Sequence, residues 1–199
     1  MKFKILFITV TLIVFSAISS FSADFKIRAL GGIGTTIVTS DFTDLGATAK
    51  KTSIGFGVQG LFSLSESSAV GIDAGYLSTW EWTFSTYSAN YKYINIGVIY
   101  EYTKSIFVIQ AGLGVYIDSS TYSANITSST QGKTGTGLGT IIAAGVDIPI
   151  TDSISIPILA RIDYIAFGTK NTATSGGSTR EFGGSTMPLR IMAGVTFNI

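Results

Sequence analysis

Successive side chains of a β-strand point to opposite faces, so an apolar residue at every second position marks a strand with one greasy side. From Asp24 onward the chain shows that pattern eight times. Segment one, Asp24 to about Thr39, sets Phe25, Ile27, Ala29, Ile33 and Ile37 against Lys26, Arg28, Leu30, Gly32, Gly34 and Thr36. Segment two sets Ile54, Phe56, Val58, Phe62 and Leu64 against Ser53, Gly55, Gly57, Gln59 and Ser63. Segment three sets Val70, Ile72, Ala74, Tyr76 and Trp80 against Gly71, Asp73 and Gly75. Segment four sets Ile94, Ile96, Val98, Tyr100 and Tyr102 against Asn95, Gly97 and Glu101. Segment five sets Phe107, Ile109, Ala111, Leu113, Val115 and Ile117 against Gln110, Gly112, Gly114, Tyr116 and Asp118. Segment six sets Leu138, Ile142, Ala144, Val146, Ile148 and Ile150 against Gly137, Gly139, Gly145 and Asp147. Segment seven sets Ile154, Ile156, Ile158, Ala160, Ile162 and Tyr164 against Ser155, Arg161 and Asp163. Segment eight sets Met187, Leu189, Ile191, Ala193, Val195, Phe197 and Ile199 against Arg190, Gly194, Thr196 and Asn198.

The apolar face of these segments carries no charge, and the other face carries Lys26, Arg28, Asp73, Glu101, Asp118, Asp147, Arg161, Asp163 and Arg190. Phase is kept over about 11 to 14 residues, whereas ordinary strands average about five or six. A bilayer demands strands of about 9 to 11 residues or more, tilted by about 45°. In a soluble barrel the apolar face would point inward. The interior of an eight-stranded barrel is narrow, and Ile, Phe, Leu and Tyr from every strand would overfill it. The pattern therefore predicts an all-β fold, an eight-stranded antiparallel up-and-down transmembrane β-barrel over residues 24–199. Its apolar set meets lipid and its Gly-rich set lines the lumen. A lipid-facing Arg or Lys near mid-membrane costs about 2–4 kcal/mol, which gives the phase a physical reason.

The connections alternate in length. Ser65-Glu66-Ser67-Ser68, Thr103-Lys104-Ser105 and Thr151-Asp152-Ser153 are tight polar turns. Between them lie longer stretches rich in Ser, Thr, Gly and Asn, at about 40–52, 81–92, 119–134 and 168–186. Short turns on the periplasmic side and long loops outside are the outer-membrane pattern. Aromatic residues cluster at both ends: Phe25, Phe62, Tyr100, Tyr102, Phe107 and Phe197 near the short turns, and Tyr76, Trp80, Trp82, Phe84 and Tyr164 near the long loops. This predicts two girdles at the membrane interfaces.

Residues 1–23 read as a secretory signal. Lys2 and Lys4 precede a 13-residue apolar run, Ile5 to Ala17, followed by small polar residues. That run is too short to cross about 30 Å of hydrocarbon as a helix. Cleavage is expected between residues 19 and 23. Removing Lys2 and Lys4 leaves 11 basic and 12 acidic residues, a net charge of −1.

Composition narrows the chemistry. The 199 residues are 46% hydrophobic and 13% charged, with 23 glycines, which argues against a disordered chain. There is no cysteine and no histidine. That excludes disulfides, thiolate zinc sites, thiol nucleophiles and imidazole bases. A formal charge of +1 provides no basic patch for nucleic acid. Gly31-Gly32-Ile33-Gly34 and Gly135-Thr136-Gly137-Leu138-Gly139 lack the helix and lysine of a nucleotide loop. No cofactor or metal site is expected.

With the signal, the eight segments and the terminal run Leu189 to Ile199, the chain resembles the small eight-stranded outer-membrane barrels of the OmpA, OmpX and OmpW kind. The likeness spans residues 24–199 and is architectural. It implies a location in the cell outer membrane, contact with outer-membrane lipid, and insertion by the barrel assembly machinery through the C-terminal strand. Such barrels usually end in an aromatic residue; here Phe197 lies two before the final Ile199. Barrel enzymes of this membrane resemble one another in needing a histidine, so a non-enzyme is expected.

The inward charges Lys26, Arg28, Asp73, Glu101 and Asp147 are expected toward the short-turn half. Arg161, Asp163 and Arg190 are expected nearer mid-barrel. Charges in a narrow lumen must pair, so they are read as a network that closes it. The expected function is structural or surface interaction through the external loops. The alternatives are a small channel or hydrophobic-solute port of the OmpW-like kind, and a soluble secreted ligand-binding barrel with inverted faces.

Overall fold

The structure is a computed structural model and describes residues 24–38, 48–50, 52–84, 87–119, 121–124, 136–167, 171–175, 178–182 and 186–199. The signal region 1–23 lies outside the described residues. Every described element is a strand: β1 (Phe25–Val38), β2 (Thr48–Lys50), β3 (Thr52–Ser65), β4 (Ser68–Phe84), β5 (Tyr87–Lys104), β6 (Phe107–Asp118), β7 (Thr121–Ala124), β8 (Thr136–Thr151), β9 (Ile154–Phe167), β10 (Asn171–Ser175), β11 (Ser178–Phe182) and β12 (Thr186–Asn198). Eight of them pair antiparallel, each with its sequence neighbour, in the cyclic order β1-β3-β4-β5-β6-β8-β9-β12. β12 returns to β1 and closes the cylinder, from Lys26↔Asn198 to Val38↔Thr186.

The barrel strands run for 12 to 18 residues. At about 3.3 Å per residue and a tilt near 45°, the shortest rises about 28 Å, the thickness of a bilayer core. Exposure alternates along each strand in the predicted phase. Ile33, Phe56, Ile96, Leu113, Leu138 and Ile142 are exposed, while Arg28, Gln59, Asp73, Glu101 and Asp163 are buried. Leu138 is 70% exposed and Arg28 0%. A fold that hides Arg28, Arg161 and Arg190 and shows Ile33, Leu113 and Leu138 is arranged for lipid rather than water.

The lumen also holds apolar side chains, which a lining of glycine and ions does not anticipate. Leu30, Val108, Ala143, Leu159 and Met192 form one buried cluster, and Leu61, Ala69, Ile99 and Ile141 a second. Leu77, Tyr93, Tyr116 and Ile165 form a third. These are inward residues, so they fill space between the polar groups instead of meeting lipid.

The three short turns fall at 66–67, 105–106 and 152–153. Ser105 adopts a left-handed φ of 58°, the bend a two-residue hairpin requires. The expected long loop at 81–92 is different in the structure. β4 continues to Phe84 and β5 resumes at Tyr87, so most of this stretch is strand. β2 flanks it on β4 and β7 on β5.

Candidate functional site: the charged lumen

The inward charges meet in two groups. In the first, Arg28 of β1 is the hub. Its Nη1 donates to Glu101 Oε2 at 2.6 Å and its Nη2 to Asp147 Oδ2 at 2.8 Å. Its Nε donates to Thr196 Oγ1 at 3.0 Å. Lys26 adds a looser ion pair, Nζ to Glu101 Oε1 at 3.9 Å. These groups sit toward the short turns, as expected from their places on the strands.

The second group centres on Arg161 of β9. Its Nη1 and Nη2 donate to Asp73 Oδ1 and Oδ2 at 2.8 and 2.9 Å, a two-pronged clamp. Its Nε and Nη2 also reach Asp163, at 3.1 and 2.8 Å to Oδ1. Arg190 Nη2 donates to Asp163 Oδ2. The Tyr116 hydroxyl donates to Asp163 Oδ1 at 2.7 Å, and Asn95 Nδ2 donates to Asp73 Oδ2 at 2.6 Å. Asp73, on the short-turn half of β4, thus pairs with Arg161 in the middle of β9. The reason is reach: β4 and β9 lie opposite each other in the eight-strand cycle, and arginine is long enough to cross.

Gln59 and Gln110 join the two groups. Each amide donates to the other, Gln110 Nε2 to Gln59 Oε1 at 3.0 Å and Gln59 Nε2 to Gln110 Oε1 at 3.3 Å. Gln110 Nε2 also donates to Glu101 Oε2 at 2.8 Å, and Gln59 Nε2 to Asp73 Oδ1 at 3.0 Å. Arg28 Nη1 reaches Gln59 Oε1 at 3.2 Å. A continuous chain of bonds therefore runs from Lys26 to Arg190. Gln59, Asn95, Gln110, Tyr116 and Thr196 all stood on the inward phase of the sequence; being uncharged, they gave no other signal. The eight network charges, Lys26, Arg28, Arg161 and Arg190 against Asp73, Glu101, Asp147 and Asp163, balance to zero.

Glycine makes room for this packing. A Cβ at Gly139 would come within 2.6 Å of the Tyr116 ring, and one at Gly55 would collide with Arg190 Nη1. The Tyr116 ring lies over Gly139, where its hydroxyl meets Asp163.

The aromatic residues behave less uniformly. At the turn end Phe25 and Phe62 are cross-strand partners with ring centroids 4.7 Å apart, and Tyr100, Tyr102 and Phe197 face outward. Toward the other end Tyr164 is exposed, and Tyr76 stacks on Phe56 at 5.2 Å. The side chains of Trp80 and Trp82 lie outside the described residues. An irregularity between Ser78 and Trp80 pairs Trp80 with Tyr91 and Trp82 with Ala89, and Tyr91 packs on the lumen cluster of Leu77, Tyr93, Tyr116 and Ile165.

No protein-family model and no curated protein matches the sequence. Solved structures do match the fold. It is similar to the outer membrane protein OprG from Pseudomonas aeruginosa, with TM-score 0.50 and 13% identity over 89% of this chain and 96% of that one. It is similar to Ail, the attachment invasion locus protein of Yersinia pestis, with TM-score 0.53 and 12% identity over 89% and 100%. A major outer membrane protein from Thermus thermophilus gives TM-score 0.53 and 11% identity over 90% and 100%. At such identities the likeness carries the fold, an eight-stranded antiparallel β-barrel, and the outward apolar belt suits that barrel to a lipid bilayer.

Proposed function

We propose that the protein is a non-enzymatic outer-membrane barrel whose lumen is shut by the charge network and whose role is exercised at the loop end, on the outer surface. The observation that carries this reading is the Arg161–Asp73 clamp between opposite strands, backed by Arg28 bonded to Glu101 and Asp147. An eight-stranded wall leaves room for side chains rather than a water column, and these side chains span it. The β4–β5 hairpin, with β2 and β7 paired beside it, supplies described surface at the loop end. The C-terminal strand, with Phe197 and Ile199 outward, is the segment offered to the assembly machinery. Planar-bilayer recording of the refolded barrel tests the closure: no steady single-channel current is expected. A stable open channel in the unmodified protein would favour the alternative of a small channel or solute port.

A further inference from the structure

Seven seams of the cylinder, once begun, run on, apart from register shifts near Ser63, Ser78 and Pro149. The β9–β12 seam breaks off twice and resumes in the same register. Thr186↔Ile165 is followed by Leu189↔Ile162, and Ala193↔Ile158 by Thr196↔Ser155. That register sets Pro188 opposite Asp163 and Pro157 opposite Gly194. Each strand therefore brings a proline to this seam, and each proline coincides with a break.

A residue in an antiparallel strand turns its N–H and C=O toward the same neighbour, and proline has no N–H to give. On their other sides both prolines keep their partners, Thr36↔Pro188 with β1 and Asp147↔Pro157 with β8. The deficit falls on one seam. It lies beside exposed apolar residues such as Ile162 and Val195, at membrane depth, where water does not replace a missing backbone bond. Across the Pro188 break the strands are tied instead by side chains: Arg190 of β12 donates to Asp163 of β9.

We infer that the barrel opens locally along the β9–β12 seam, and that the Arg190–Asp163 pair is the latch of its loop-side half. The β1–β12 seam, where the cylinder closes, stays shut during this motion because its ladder is unbroken. Local opening draws on the least-paired part of a structure, and this seam is that part of the wall.

Amide hydrogen exchange of the whole barrel in lipid nanodiscs tests the inference. The amides of Asp163, Ile165 and Gly194, which face this seam, are expected to exchange at least tenfold faster than those of β1 from Ala29 to Thr35. Pro188→Val restores an N–H and is expected to slow exchange around the upper break. Arg190→Met is expected to speed it there and leave β1 unchanged. Because the chain has no cysteine, Ile158→Cys with Ala193→Cys places a single disulfide across the seam. Ile33→Cys with Ile191→Cys does the same across β1–β12. The first cross-link is expected to slow exchange beside the breaks, and the second to leave it as it was. Uniform exchange around the barrel, or fastest exchange along another seam, overturns the inference. So does an equal effect of the two cross-links, a comparison that holds even where Arg190→Met fails to refold.

Discussion

Arg161 and Arg190 are direct Cα partners across the β9–β12 seam, and both donate to the carboxylate of Asp163. Like charges placed opposite each other in a sheet repel. Here the anion between them, with Asp73 beyond, turns a repulsive pair into the centre of the network. Asp163 takes Arg161, Arg190 and Tyr116 together. Removing one partner leaves buried charge without compensation, which costs far more than the intact pair contributes.

Arg161→Ala strips Asp73 and Asp163 of the cation they share. The expected loss is about 3–5 kcal/mol, read as a lower urea midpoint and a lower melting temperature of the refolded barrel. An unchanged midpoint would count against a paired lumen.

The amide pair makes a subtler claim. If Gln59 and Gln110 join the two ionic groups, the effects of Gln59→Ala and Gln110→Ala are not additive. A double-mutant cycle by chemical unfolding is expected to return a coupling of about 0.5–3 kcal/mol. A coupling of zero would mean the groups stand independently.

Two glycines on opposite faces predict opposite outcomes. At Gly139 an added methyl would press on Tyr116 and on the Tyr164 carbonyl, at 2.6 and 2.5 Å. Gly139→Ala is expected to destabilise by about 1–3 kcal/mol, as overpacking does. At Gly31, on the lipid face, a Cβ meets nothing within 4 Å. Gly31→Ala is expected to be neutral or mildly stabilising. Equal penalties at both sites would refute the assignment of faces.

The lipid belt has its own test. Ile142 is 57% exposed in the middle of β8, and Ile142→Arg is expected to cost about 2–4 kcal/mol in a bilayer. Folding efficiency into vesicles and the unfolding midpoint both report it. A neutral result would place Ile142 outside the hydrocarbon.

The inward phase of every barrel strand was legible in the sequence because a period of two needs no tertiary information: Arg28, Asp73 and Asp163 could only be hidden with the glycines. The partnership of Asp73 was not legible. Asp73 and Arg161 are 88 residues apart, and only the closing of the sheet brings β4 opposite β9. Nor was the irregularity at Ser78–Trp80 visible, since a register shift between two strands leaves the composition of each unchanged.

By itself, then, alternation along the chain determined the number of barrel strands, their lipid-facing sides and the set of charges that must be hidden, because burial of ions in hydrocarbon is too costly to permit the other choice. The tertiary structure decided which cation meets which anion, through Gln59 and Gln110, and which seam both Pro157 and Pro188 weaken. Those depend on strand stagger and on the direction each backbone nitrogen faces, quantities that arise only when the sheet closes on itself.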